Sequence, residues 1–226
     1  MNDDIFISEV VNADENITSP VILFAQLDIF YNIKNMADDL VVAKKLEWVE
    51  HVNTQCYQGS WDVLPLRVPV EHADKHVILQ SFAIEPSSDF IDGDHLQYLP
   101  YVRELLSQFK CDILSARLMR LSPNSLIKPH RDLGLSIDLS AQARIHISLE
   151  ASEHVEFLVD CLEVPMSQNS CWYINADAEH SVVNNGDTPR INLVIDCNVN
   201  EWLLSLIIES KNKEYCCTNQ AKEINR

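Results

Sequence analysis

The chain has 226 residues, of which 46% are apolar, and a formal net charge of −17. That length and apolar share suffice for one domain core with some decoration. The charge argues against nucleic acid and anionic membrane surfaces as partners, since both call for a basic face, and no apolar run reaches the ~18 residues of a membrane span.

The opening stretch MNDDIFISEV lacks the basic and apolar regions of a secretory signal. The seven cysteines are odd in number, scattered, and form no CxxC pair, unlike a disulfide framework. Both features lead us to expect a cytoplasmic protein. In chain order, residues 1–20 are polar and Val21 to Leu27 reads as a strand. Asn35 to Val49 has helical spacing, with Met36, Leu40, Ala43 and Leu46 on one side. Residues 50–75 hold Gly59, Trp61, Pro65 and Pro69 and read as short strands and turns. His95 to Phe109 reads as one amphipathic helix with Leu96, Leu99, Val102, Leu105 and Leu106 in register. Pro100 falls near its first turn, where proline is tolerated.

From Cys111 onward short Ile-, Leu- and Val-rich runs are separated by turn residues. They predict strands near 112–121, 143–150, 154–160, 170–175 and 189–198. Alternation is clearest from Arg144 to Leu149, which puts Arg144 and His146 on one face, pointing into the same cavity. The expected fold is mainly β with flanking helices, a jelly roll (double-stranded β-helix) of the cupin-like kind. The expected division is 1–110, a mixed helical segment packing on the barrel; 111–205, the jelly-roll core; and 206–226, a polar tail, helical at best, with free thiols at Cys216 and Cys217. No sequence feature sets an oligomeric state.

The chemistry centres on Pro129-His130-Arg131-Asp132. A His-x-Asp pair on an extended segment or tight turn aims both side chains at one ion. His180, just past the predicted 170–175 strand, is the candidate second imidazole. Two imidazoles and one carboxylate leave three positions open, which suits Fe(II) binding O₂ and a bidentate cosubstrate together. Arg190 opens the next strand, and a buried arginine there can pair bidentately with a carboxylate, such as the distal one of 2-oxoglutarate.

These residues resemble the aspartyl/asparaginyl β-hydroxylase family of 2-oxoglutarate-dependent oxygenases, and within it the bacterial proline-hydroxylase-like members. The resemblance runs from Ala116 to Trp202, through Ala116–Ser122, Pro129–Asp132, Arg144–His146, Asp177–Ser181 and Pro189–Asp196. It is looser before that, at Gly59-Ser60-Trp61 and Tyr98–Val102. It implies His130, Asp132 and His180 as iron ligands, Arg190 on the distal carboxylate of 2-oxoglutarate, His146 against that cosubstrate, and Arg144 on the substrate's carboxylate. Arg117 or Arg120 stands behind Arg144; being three apart on a strand, they face opposite ways. Trp61 is a candidate pocket wall. The implied activity is O₂-dependent hydroxylation of an unactivated C–H bond in an amino acid or amino-acid-like substrate. Segments 133–136 and 171–177 depart from the family pattern and bear on substrate choice. Two alternatives remain open: hydroxylation of an Asp, Asn or other side chain within a peptide or protein, and a non-catalytic cupin-like module holding zinc or another ligand.

Overall fold

The computed structural model describes residues 20–82, 89–138, 140–151 and 153–215; the expectations for residues 1–19 and for Cys216 and Cys217 lie outside them. In chain order the elements are β1 (Ile22–Gln26), α1 (Ile33–Ala43), β2 (Val49–Glu50), β3 (Tyr57–Gln58), β4 (Trp61–Pro69), α2 (Val77–Phe82), β5 (Phe90–Asp92), α3 (Pro100–Ser107) and β6 (Ile113–Leu121). There follow β7 (Ser125–His130), β8 (Gln142–Glu150), β9 (Val155–Val159), β10 (Leu162–Glu163), β11 (Cys171–Ile174), β12 (His180–Asn184), β13 (Arg190–Asn198), α4 (Glu201–Glu209) and β14 (Lys213–Tyr215). No helix among the described residues is long and apolar enough to cross a membrane.

Two antiparallel sheets carry the fold. The larger runs β14-β1-β11-β8-β13-β6-β4-β2, with β5 on β4; the smaller runs β10-β9-β12-β7-β3. From β6 onward the chain alternates between them: β6 in the larger, β7 in the smaller, β8 back, β9 and β10 across, β11 back, β12 across and β13 back. That winding is the jelly roll. Strands β1, β2, β4 and β5 join the larger sheet and β3 the smaller, so the chain before residue 110 supplies strands as well as the helices packed on them. Beyond residue 206, β14 pairs with β1, giving the tail through Tyr215 a strand where only helix at best was expected.

The larger sheet buries both faces, and its side chains sort by the two-residue period of a strand. On β13, Ile191, Leu193, Ile195 and Cys197 enter one core with Leu40 of α1, Val102 and Leu105 of α3, and Leu203 and Ile207 of α4. On β8, Ala143, Ile145, Ile147 and Leu149 face the same helices. The alternate positions look at the smaller sheet. There Met119, Leu121, Trp172, Ile174 and Val194 meet Ile127, Phe157, Val159 and Val182 in a second core. Each such aliphatic side chain, fully buried, contributes roughly 1.5–3 kcal/mol. The polar residues Arg144, His146, Arg190, Asn192 and Asp196 share that inward face, and the site is built from them.

α1 is capped by the Asn32 side chain, which accepts from the Asn35 N–H at 3.1 Å; it ends at Ala43, whose carbonyl accepts from Trp48 Nε1 at 2.9 Å. The predicted helix over 95–109 is two pieces, a 3₁₀ turn at Asp94–Tyr98 and then α3. Proline disfavours helical backbone in the residue before it, and Leu99 accordingly leaves the helical region at φ −124°, ψ 69°. The freed amides of Tyr101 and Val102 donate to the buried Asp39 carboxylate of α1, each at 2.8 Å.

Gly59 permits the turn between β3 and β4 that delivers Trp61. Its φ is +86°, and a Cβ there would collide with the Ser125 side chain and lie 2.9 Å from Ser125 Cα. Gly59→Ala therefore meets both backbone strain and overpacking, together about 2 kcal/mol or more. The expected result is a fall in melting temperature of roughly 5 °C, measured by calorimetry; an unchanged value would contradict it.

Candidate metal centre

The register of the smaller sheet brings the two histidines together. β12 pairs with β7 so that His180 stands opposite His130, with an irregularity between His180 and Val182. His180 opens its own strand rather than trailing the preceding one, and His130 closes β7. The two imidazole centroids are 4.2 Å apart. His130 Nδ1 lies 2.8 Å from the Lys128 carbonyl and His180 Nδ1 lies 3.0 Å from the Ala178 carbonyl. A ring that donates from Nδ1 to a main-chain carbonyl presents the lone pair of Nε2 to an ion.

The third donor is held by the loop after β7. The Asp132 N–H donates to the Ala176 carbonyl at 2.8 Å. Asp177 clamps the same loop: its carboxylate accepts from Arg131 Nη2 at 2.6 Å and from the Gly134 N–H at 3.1 Å, and its carbonyl accepts from Arg131 Nε at 2.5 Å. One ligand atom each from His130, Asp132 and His180 lies within 4.8 Å of the others. Burial pushes the Asp132 carboxyl up, but Arg144, His180, His130 and Arg117 outweigh it and the net shift is downward. Burial, and then His130, pushes His180 down to about 4. An ionised carboxylate and a neutral imidazole are the forms that bind a metal, so the donor set fits a divalent ion.

The triad faces a cavity of about 740 Å³ between the two sheets. At one end stands Arg190. It is 5% exposed, its guanidinium lies 5.2 Å from the Phe157 ring centroid, and Nη2 donates at 2.8 Å to the Asn192 amide oxygen. The same amide group lies 3.3 Å from His146 Nδ1. Burial alone pushes Arg190 down to about 10, with no carboxylate acting on it. It is thus a buried cation, still charged at neutral pH, without an acid partner among the described residues. His146, also buried, is held neutral by burial, by Arg190 and by Arg144.

At the other end stand Arg117, Arg144 and Asp196. The resemblance implied Arg144 on the substrate's carboxylate. Its Nε and Nη2 bind the Asp196 carboxylate at 2.7 and 3.0 Å, and Nη1 binds Asp132. Arg117 also faces the cavity and binds Asp196 at 3.0 Å. Arg120 does not reach it. Lying an odd number of residues from Arg117, it turns to the opposite face, where it binds Asp62 at 3.0 Å and covers the Trp48 ring. Trp61 does wall the cavity, 6.4 Å from His130 and stacked on His51 at 3.7 Å between centroids. His51, Phe157, Asp177, Asn192 and Asp196 were not anticipated. Asn192 and Asp196 had a sequence signal: both fall on the inward face of β13 by simple alternation from Arg190.

Three histidines set an acid limit on stability: His146 and His180, which are buried, and His51, which is half-buried. Burial and then Arg117 push His51 down to about 4; His180 stands at about 4 and His146 well below its ordinary value. In the unfolded chain each binds a proton near 6.5. Between about 4 and 6.5 the unfolded state therefore holds more protons, and stability rises with pH. Asp132 and Asp196 are both shifted downward, so their contribution is lost only below that window. The metal-free protein should melt more than ~5 °C lower at pH 4.5 than at pH 7; equal values by calorimetry would contradict this.

Comparison with known proteins places these residues in context. A family described as aspartyl/asparaginyl beta-hydroxylase matches residues 32–199. An L-proline cis-4-hydroxylase of Rhizobium meliloti is 31% identical over 140 residues, 61% of this chain and 48% of that protein. An L-proline cis-3-hydroxylase of Streptomyces is 24% identical over 167 residues, 72% of this chain and 56% of that protein. The chain thus spans about half the length of the curated relatives it matches. A solved 2OG-Fe(II) oxygenase-family oxidoreductase of Burkholderia pseudomallei superposes with a TM-score of 0.48 at 13% identity, covering 73% of this chain and 81% of that one.

Proposed function

Because the chain belongs to the aspartyl/asparaginyl β-hydroxylase family, we propose that it is an Fe(II)- and 2-oxoglutarate-dependent oxygenase that hydroxylates an unactivated C–H bond of a small amino acid. The observation that carries this reading is Arg190: a buried guanidinium without an acid partner among the described residues, in the same cavity as His130, Asp132 and His180. A buried cation left unpaired is costly and calls for an anionic ligand. The distal carboxylate of 2-oxoglutarate supplies one.

In this reading His130, Asp132 and His180 hold Fe(II). Iron held there would supply the oxidising power for the hydroxylation with O₂, 2-oxoglutarate being spent to succinate and CO₂. The chain's own residues provide order and orientation. The Lys128 and Ala178 carbonyls fix the two imidazole faces. Arg144 holds Asp132 ionised. Arg190, steadied by Asn192 and Phe157, receives the distal carboxylate, and His146 lies beside it. Trp61, Met119, Phe157 and Val182 line the cavity and keep water from the reacting carbon.

Three protein donors among the described residues favour this over a structural zinc module, whose site closes four positions. The relatives' names, both L-proline hydroxylases, make proline and similar small amino acids the first substrates to try. The five described cysteines are free, with Cys111 and Cys197 hydrogen-bonded as thiols; this supports a reducing, cytoplasmic setting. The test is succinate release by the iron-loaded protein with 2-oxoglutarate and each of the protein L-amino acids. One small amino acid should raise release well above the substrate-free rate and yield a product one oxygen atom heavier. No stimulation by any amino acid or peptide would overturn the reading.

A further inference from the structure

β13 carries a charge at each end of its inward face. Arg190 and Asp196 lie six residues apart, roughly 20 Å along the strand. Asp196 is 8% exposed. Its register neighbours are Arg144 on β8 and Ser115 on β6, and Arg117 stands opposite Val194 on β6. Asp196 Oδ2 accepts from Arg144 Nη2 at 3.0 Å, Arg117 Nη1 at 3.0 Å and Ser115 Oγ at 3.2 Å, whereas among the described residues Oδ1 accepts only from Arg144 Nε at 2.7 Å. A carboxylate oxygen accepts about two hydrogen bonds, so Oδ1 keeps one acceptor position open. On Arg117, among the described residues, Nη1 alone is engaged, with Ser115 and Asp196; Nε and Nη2 keep their donors. All four residues line the cavity that holds the triad.

Two guanidinium groups alone would make a carboxylate site. Placing an ionised carboxylate between them weakens that site unless the ligand brings a cation beside its anion. A free amino acid does so: carboxylate and ammonium sit on one carbon. We infer that Asp196 receives the α-ammonium (a secondary one where the amino acid is cyclic) of an unblocked amino acid while Arg117, backed by Arg144, receives its carboxylate, so that this end of the cavity selects a free zwitterionic head group over a residue within a peptide. This deepens the oxygenase reading above and rests on it. One side chain, Arg144, bridges Asp196 and Asp132, so a head group held here leaves a short side chain at the metal.

The experiment compares head groups on the native enzyme and on Asp196→Asn. The best free amino acid found by succinate release is set against its 2-hydroxy acid analogue and its N-acetyl derivative. In the native enzyme each loss of the ammonium should lower kcat/KM by about 100-fold or more. In Asp196→Asn the gap between amino acid and hydroxy acid should shrink to under ~10-fold, mostly through KM of the amino acid. The visible band of the iron–2-oxoglutarate complex should persist in the variant, since Arg190 and the triad are intact. The native-enzyme comparison stands even where the variant folds poorly. An N-acetyl derivative or peptide that turns over as well as the free amino acid overturns the inference, as does an undiminished preference in Asp196→Asn. A native band with no turnover of any free amino acid also overturns it and leaves the oxygenase reading standing. No band in the native protein overturns both.

Discussion

Replacing His180 with alanine should abolish stoichiometric Fe(II) binding and lower turnover by about 10³-fold or more. The three protein donors lie within 4.8 Å of one another, and none of the remaining described residues joins them. Disturbing only the partners behind a ligand typically costs 10–100-fold in metal affinity, so removing a ligand itself should cost more. The alternative explanation, collapse of β12, is tested separately. Its strand hydrogen bonds to β7 and β9 involve main chain and survive the substitution, so the metal-free variant should still unfold cooperatively. Anaerobic iron titration with metal analysis reads the first effect and calorimetry the second. A variant that retains one tightly held iron would contradict the assignment of His180.

Arg190→Met should show effects of opposite sign on stability and function. The native guanidinium is buried, with an amide oxygen, a thioether and an aromatic ring as its partners. Such a charge weighs against folding. Methionine keeps much of the length, packs against Phe157 and Met166, and removes the charge. The metal-free variant should therefore be more stable by about 1 kcal/mol, a rise of roughly 2–4 °C for a chain of this size. Affinity for 2-oxoglutarate should fall by about 100-fold or more, the scale of losing one partner of a buried charge pair. A variant less stable than the native protein and unchanged in 2-oxoglutarate affinity would show that Arg190 serves the fold alone.

The strands of the C-terminal half were legible where alternation is strong. Arg144 to Leu149 and Arg190 to Asp196 read as strands because their apolar residues face the helices and their polar ones the cavity, and both do so in the structure. β7 was missed because Pro129 and the polar Ser125 and Lys128 dilute the strand pattern. β12 was missed because five residues after a turn give too short a run to separate from loop. β14 depends on its partner β1, a pairing that no local pattern announces. The one-helix reading of 95–109 counted apolar spacing and underweighted what Pro100 does to Leu99.

The grouping of His130, Asp132 and His180, and their sharing of one cavity with Arg190, were readable because the four residues fall at or beside strand ends and the family resemblance singled them out. The engagement of Arg144 was not, since it depends on Asp132 and Asp196 converging from β7's loop and β13. The Asp177 clamp on Arg131 joins loops 46 residues apart, and the His51–Trp61 stack likewise arises only once β2 lies beside β4. What stayed hidden is mostly charge pairing across the sandwich, which strand register decides and a single sequence does not display.

The most direct measurement is the visible spectrum of the protein purified without oxygen and mixed with Fe(II) and 2-oxoglutarate. A metal-bound 2-oxoglutarate gives a weak charge-transfer band that plain iron sites lack. The expected result is that band in the native chain, lost in His180→Ala and, at limiting cosubstrate, in Arg190→Met. Properly loaded iron with no band on adding 2-oxoglutarate would contradict the oxygenase assignment at its centre.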